Sequence, residues 1–265
     1  MPSLTEPIAT GRTAEIYPWG ENHVLKLYLP GWSREHVTHE FNQARASQKT
    51  GFAVPAVYEQ IEVAGRPGIV FERIAGDNLL TIFQRKPWRV RAISRQLADL
   101  QNTMHALPAP DLPPWHAVLM ARIERSPHLE SATRDAVLQR LLALPQDNKL
   151  LHNDFHPGNV ISGAKGAFII DWVDAKSGHP LADVARSTIL AFMAELPPAT
   201  PNRHLLALRR RTYLNAYLRR YFARSPHTQQ DMRPVLQPVA ADRLGDNIPS
   251  ETENLLKLIH QEMHR

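Results

Sequence analysis

Cysteine is absent from the 265 residues. That removes disulfides and thiol chemistry, and it fits a reducing, cytoplasmic setting. No apolar run is long enough to span a bilayer, so no membrane partner is expected. The opening MPSLTEPIATGR lacks a basic segment followed by an apolar one, and no signal peptide is expected from it. Internal repeats and low-complexity tails are missing too. Acidic charge is in short supply: 31 Lys and Arg face 26 Asp and Glu, a formal charge of +5. A basic balance can point to nucleic acid or acidic lipid as a partner. A solvated Arg-rich surface is the simpler account of it. What is present is a 43% hydrophobic chain, the content of a globular protein, long enough for one large domain or two lobes.

The first quarter reads as strands around one helix. AEIYPWG and NHVLKLYLP are β-type runs separated by the turn GEN, together a hairpin. SREHVTHEFNQARASQKTG has a Ser cap, no Pro and a closing Gly51, the marks of a helix. AVYEQIEVAGRPGIVFERI reads as two further strands joined by AGRPG. The order is therefore β, β, α, β, β. From Leu79 onward the period turns helical. Val90, Ile93, Leu97, Leu100 and Met104 share one face of WRVRAISRQLADLQNTMHAL. PAPDLPPW is a Pro-rich loop, and 116–144 reads as two helices broken near Ser126-Pro127. A short β-like interlude covers 159–171. LADVARSTILAFMAEL and RHLLALRRRTYLNAYLRRYFA then return to helix. The expected architecture is α+β and bilobal, with residues 1–75 as a small sheet lobe and 76–265 as a larger helical lobe. A cleft between lobes is the usual place for a ligand.

The most informative stretch is LLHNDFHPGNVI, residues 150–161. His152, Asp154 and His156 could be metal ligands, but a further ligand in a matching context is lacking. A polar loop with a satisfied His is the plain alternative. Asn159 follows Asp154 by five positions, and IIDW places Asp171 twelve residues later at the end of an apolar run. An Asp, an Asn and a second Asp on adjoining turns suit phosphoryl transfer. One carboxylate accepts the proton of an attacking hydroxyl, while the Asn oxygen and the second carboxylate hold Mg²⁺ on nucleotide phosphates.

The pattern resembles the catalytic loop and metal motif of eukaryotic-like kinases, and more closely that of the aminoglycoside phosphotransferase and choline kinase family. HNDFHPGN has His156 where protein kinases commonly carry Lys. Trp172 and Val173 stand in place of the Phe and Gly of Asp-Phe-Gly. Both departures point to a small-molecule kinase. GHPLADVAR fits the same family, with Asp183 as the carboxylate that braces the catalytic loop. The resemblance implies a protein-kinase-like fold, ATP or GTP as phosphate donor, and a hydroxyl on a small molecule as acceptor. It implies Asp154 as base and Asn159 and Asp171 as metal ligands.

Lys26 in VLKLY lies mid-strand between apolar neighbours, where an amine needs a partner. The resemblance makes it the phosphate-contacting Lys, paired with Glu40 on the next helix or, less well, Glu35. The expected Gly-rich loop is ATGRTAEI, with Gly11 its only Gly; Thr10, Arg12 and Thr13 offer donors instead. FERIAG falls at the hinge, where backbone groups from Glu72 to Ile74 would read the adenine edge.

Two other classes remain. A nucleotide-binding pseudoenzyme has no need of Asp154. A nucleic-acid-binding protein is suggested by LRRRTYLNAYLRRYFAR, but Leu205, Leu208, Tyr213, Leu214 and Leu218 at helical spacing would face inward, so no nucleic acid partner is expected. After Asp174, thirteen basic residues stand against eight acidic ones, where the resemblant family builds its acceptor pocket. That leans away from polycationic aminoglycosides. The counterweight is DRLGDNIPSETE, whose Asp242, Asp246, Glu251 and Glu253 could form an acidic wall.

Overall fold

The computed structural model describes residues 6–164, 166–193 and 203–263. Its N-terminal part is a five-stranded antiparallel sheet of order β1-β2-β3-β5-β4. The strands are β1 (Ala9–Thr10), β2 (Ala14–Pro18), β3 (His23–Tyr28), β4 (Val57–Val63) and β5 (Arg66–Glu72). Strand β1 has only two residues, too few for a periodic signal, and sequence reading missed it. Helix α1 (Arg34–Lys49) starts where Ser33 accepts a hydrogen bond from the His36 N–H, as the cap residue requires.

Strand alternation gives the sheet two faces. Tyr17, Leu25, Leu27 and Val70 pack on one. Ala14, Tyr28 and Ile69 pack on the other, against Val37 of α1. Lys26 shares the period-2 face of Tyr28, so it points toward α1. The β4–β5 turn is tighter than AGRPG suggests. Ala64 and Gly65 alone make it, both with positive φ (53° and 74°), and Arg66, Pro67 and Gly68 already lie in β5. Two residues of positive φ match the twist of a hairpin.

The rest is mainly helical: α2 (Leu79–Arg85), α3 (Val90–His105), α4 (Trp115–Glu124), α5 (Ser131–Ala143), α6 (Pro180–Met193), α7 (Arg203–Phe222), α8 (Arg233–Leu244) and α9 (Pro249–Met263). Val90, Ile93, Leu97 and Met104 of α3 are buried, whereas Leu100 is only half-buried. Two small sheets carry the loops of interest. β6 (Gly76–Asn78), β8 (Val160–Gly163) and β9 (Gly166–Ile169) form one; β7 (Lys149–Leu151) and β10 (Lys176–Gly178) pair antiparallel as the other.

One expectation about α7 fails. Tyr213 and Leu218 are buried and Leu214 is half-buried, but Leu205 and Leu208 are exposed (44% and 61%). A 20-residue helix is roughly 30 Å long. Its buried positions, Tyr213, Tyr217, Leu218 and Tyr221, all fall in its C-terminal half, and its first turns have no core to enter. The helical reading of 181–196 runs into 194–196, outside the described residues.

Candidate active site

The catalytic-loop candidate lies between β7 and β8, and Asp171 lies just past β9. His152 is fully buried, and its Nε2 is 3.0 Å from the Ile170 carbonyl. Its Nδ1 accepts from the Asp154 N–H at 3.2 Å. With both ring nitrogens engaged, His152 is a strut of the loop rather than a metal ligand. Among the described residues, no group of three or more His, Cys, Asp or Glu could hold a metal. His156 turns its Nδ1 to the Gly158 N–H and its Nε2 to Asp154 Oδ2, 3.6 Å away.

Asp183 anchors the loop. It is fully buried at the start of α6 and accepts from the Asn153 N–H (2.6 Å) and the His152 N–H (3.2 Å). Gln101 and His105 of α3 add two more contacts, each 3.1 Å. Burial alone would raise its pKa, but His105 and these donors outweigh it and hold the carboxyl below the usual range. Gln101 receives a hydrogen bond from Tyr217, and His105 meets Tyr221 at 2.7 Å, so α7 braces the same carboxylate from behind. Sequence reading missed this set. Two polar residues at i and i+4 within the apolar stripe of α3 were the available signal. Asn153 adopts a left-handed φ of 64°, which Asn tolerates better than most residues.

Asn159 closes a short 3₁₀ turn, Pro157–Asn159. Its Nδ2 donates to the Asp154 carbonyl (3.0 Å) and to Asp154 Oδ2 (3.1 Å). That fixes the amide with Nδ2 toward Asp154, so Oδ1 faces away from it. Asp171 has φ 66°, uncommon for a residue with a Cβ. Its Oδ1 is 2.9 Å from Lys26 Nζ, a contact between residues 145 apart in the chain. The Lys26 ammonium, outweighing burial, holds the Asp171 carboxyl below its usual range.

Lys26 is the hub of the upper half. Its Nζ lies 2.6 Å from Glu40 Oε1, and Glu40 is buried. Burial pulls the Lys26 pKa down, but Asp171 and Glu40 together push it well above the ordinary value. The amine is therefore charged at any working pH. Glu35 is exposed in the first turn of α1 and takes no part. Tyr28, two residues from Lys26 on the same face, donates its hydroxyl to Glu40. Gln43, one turn after Glu40, donates to the Ala175 carbonyl at 2.8 Å and makes a second tie between α1 and the segment that follows β9.

Gly11 and Thr13 lie on the β1–β2 turn, which is closed by a Gly11 N–H bond to the Ala14 carbonyl (2.9 Å). The Thr13 carbonyl accepts from the Leu29 N–H. Glu72 is still within the sheet: its N–H goes to Ala56 O and its carboxylate receives the Ala56 N–H. The Arg73 N–H is likewise engaged, with Asn22 O. Ile74 lies beyond β5, in the link to β6.

The acidic segment is not a free wall. Asp246 contacts Arg122 (2.6 Å), Arg186 (2.5 Å) and Arg243 (2.8 Å). Asp242 contacts Arg122 (3.0 Å) and Arg186 (3.4 Å), and Glu251 is bound bidentately by Arg243 at 2.7 and 2.9 Å. Glu253 pairs with Lys257. Burial would raise Asp246, but the arginines prevail and bring it down to about 2.

The chain matches the phosphotransferase enzyme family over residues 6–235. No curated protein matches it. Among solved structures it resembles a thermostable mutant of aminoglycoside phosphotransferase APH(4)-Ia in its apo form, with a TM-score of 0.63 and 17% identity, covering 99% of this chain and 92% of that one. Amicoumacin kinase hAmiN, in complex with AMP-PNP, Ca²⁺ and Ami, gives 0.61 at 14% identity over 97% and 87%. Aminoglycoside-3'-phosphotransferase of type VIII gives 0.58 at 18% over 91% and 92%. Identities this low speak for the shared protein-kinase-like fold and leave the acceptor open. With most of its length matched, the chain belongs to the phosphotransferase enzyme family.

Proposed function

We propose that this protein transfers the γ-phosphate of ATP or GTP to a hydroxyl of a small molecule, with residues 1–75 covering the nucleotide and 76–265 supplying base and acceptor site. The observation that carries the reading is the Lys26–Asp171 contact. It joins the candidate phosphate ligand of the sheet to the candidate metal ligand, twelve residues beyond Asn159.

In this reading Asp154 takes the proton as the acceptor oxygen attacks the γ-phosphorus, and the nucleoside diphosphate leaves. Lys26, held charged by Glu40, steadies the phosphates. Asn159 Oδ1 and Asp171 would hold Mg²⁺. The donor set fits: the Asn159 amide is oriented by Asp154 with its oxygen available, and a carboxylate plus an amide oxygen suits an ion that keeps waters and phosphates as its other ligands. Mg²⁺ would supply charge neutralisation on the phosphates. Gly11 and Thr13 would cover the phosphates, and the Glu72 carbonyl and Ile74 N–H would read the base. Positioning and electrostatics suffice, without a covalent intermediate.

The acceptor carries little positive charge. Asp242, Asp246 and Glu251 are each matched to arginine, which leaves this segment without a free carboxylate for a polycation. The deciding experiment is phosphate transfer from labelled ATP and GTP to aminoglycosides, amino alcohols, sugars and nucleosides. Turnover with a neutral or singly charged hydroxyl compound is the expected result. Micromolar Michaelis constants for kanamycin-type compounds would overturn the charge assignment while leaving the kinase reading intact. A nucleotide-binding protein that phosphorylates nothing in the panel would favour the pseudoenzyme.

A further inference from the structure

A groove of about 770 Å³ runs between α3 and α7, lined by Arg91, Arg95, Asp99, Ala216, Arg219 and Arg220 among others. Its volume falls within the roughly 300–1,000 Å³ of small-molecule sites. Four guanidiniums line it against one carboxylate. Asp99 is already occupied, by Arg220 through two bonds of 2.7 and 3.0 Å and by Arg224 at 3.4 Å. Arg91, Arg95 and Arg219 are exposed and pair with no carboxylate among the described residues. Thr212, Ala216 and Ala223 are small and leave the space between the arginine stems open.

Three unneutralised guanidiniums from two helices around one trough form a receptor for anions. Arginine's planar fork matches phosphate oxygens two at a time. Arg91 and Arg95 lie one helical turn apart on α3 and Arg219 comes from α7, so the trough presents positive charge from both of its walls. From Arg91 to Asp99 the α3 wall is roughly 12 Å long. The lining has no aromatic ring on which a base could stack, as single-stranded nucleic acid sites usually provide. We infer that this groove binds a small anion with two or more linked phosphate groups. The site is separate from the catalytic loop: Gln101 and His105, which hold Asp183, are buried in α3, whereas Arg91 and Arg95 are on its exposed side.

The test is calorimetric titration of the full chain with inorganic tripolyphosphate, without divalent cations and at fixed ionic strength. Because the nucleotide site could also take a triphosphate, two variants are run beside the parent. The triple variant Arg91→Ala, Arg95→Ala, Arg219→Ala should bind tripolyphosphate at least about tenfold more weakly and keep its Mg·ATP affinity. Lys26→Ala should keep tripolyphosphate binding. Inorganic monophosphate should bind at least about tenfold more weakly than tripolyphosphate. The inference is overturned by unchanged affinity in the triple variant, by loss of binding in Lys26→Ala, or by equal binding of monophosphate. It is also overturned if a 20-nucleotide single strand binds through the same arginines more tightly than tripolyphosphate, which would make the groove a nucleic-acid surface.

Discussion

At the residue scale, the site rests on a few atoms whose orientation is fixed by their neighbours. Asp154 is held by its own loop, through Asn159 Nδ2 and the His152 strut. Asp154→Asn keeps the size and the hydrogen-bonding shape but cannot take a proton. It should retain nucleotide affinity and lose roughly 10² to 10⁴ in turnover, the span of general-base catalysis. Near-normal turnover would remove Asp154 from the role. Lys26→Ala differs in kind: it strips Glu40 and Asp171 of a shared counter-charge and should weaken Mg·ATP binding in calorimetry. As candidates, Lys26, Asp154, Asn159 and Asp171 were all legible in the sequence, because each stands in a short pattern of distinctive residue types. Tyr28 and Gln43 were not. Their value lies in reaching Glu40 and Ala175, and only the folded geometry supplies those partners.

His179 is a second residue with a measurable consequence. Burial, with the His227 ring tilted against it 4.7 Å away, brings its pKa down to about 4. The folded chain thus holds His179 neutral while the unfolded chain protonates it near its ordinary value of 6.5. Protons therefore favour the unfolded state as pH falls from 6.5 toward 4, and stability declines across that window. His179→Gln removes the titration. Thermal melts should show the parent losing stability relative to the variant as pH is lowered through the window, and parallel curves would show that His179 does not contribute.

At the element scale, long periodic segments were readable and short paired ones were not. Helices α1, α3, α4 and α5 announce themselves by caps, spacing and Pro breaks. β1 has two residues, too few for a periodic signal, and β6, β7 and β10 have three each and exist because a distant partner supplies their hydrogen bonds. The β6–β8 pair shows what such a short element demands. Gly76 has φ 155°, and a Cβ there would lie 2.8 Å from the Ser162 carbonyl carbon. Both backbone conformation and space forbid a side chain. Gly76→Ala should cost roughly 1–3 kcal/mol, the range for overpacking, and should loosen the strand that leads out of Asn159. Denaturant titration measures the first effect. An unchanged midpoint would mean that β6 yields without cost.

At the scale of the whole molecule, charge count and charge placement part company. The basic excess after Asp174 was visible in composition, but the pairing of Arg122, Arg186 and Arg243 with Asp242, Asp246 and Glu251 was not. These residues come from α4, α6, α8, α9 and the α8–α9 link, and only tertiary structure brings them together. Arg91, Arg95 and Arg219, which pair with no carboxylate among the described residues, lie elsewhere, on α3 and α7.

Trp172 offers an optical consequence of the site's architecture. It is 3% exposed and directly follows Asp171. Its ring meets His152 at 4.8 Å and Phe52 at 6.0 Å, and its Nε1 donates to the Ile169 carbonyl. An indole fixed between the catalytic-loop strut and the residue just after α1 should report any shift of either as a change in emission. Binding of Mg·ATP should then alter the intrinsic fluorescence of the parent chain, and Trp172→Phe should silence that change while the other four tryptophans remain. A chain built this way carries its own dye beside Asp171, and nucleotide occupancy can be followed in real time without a label.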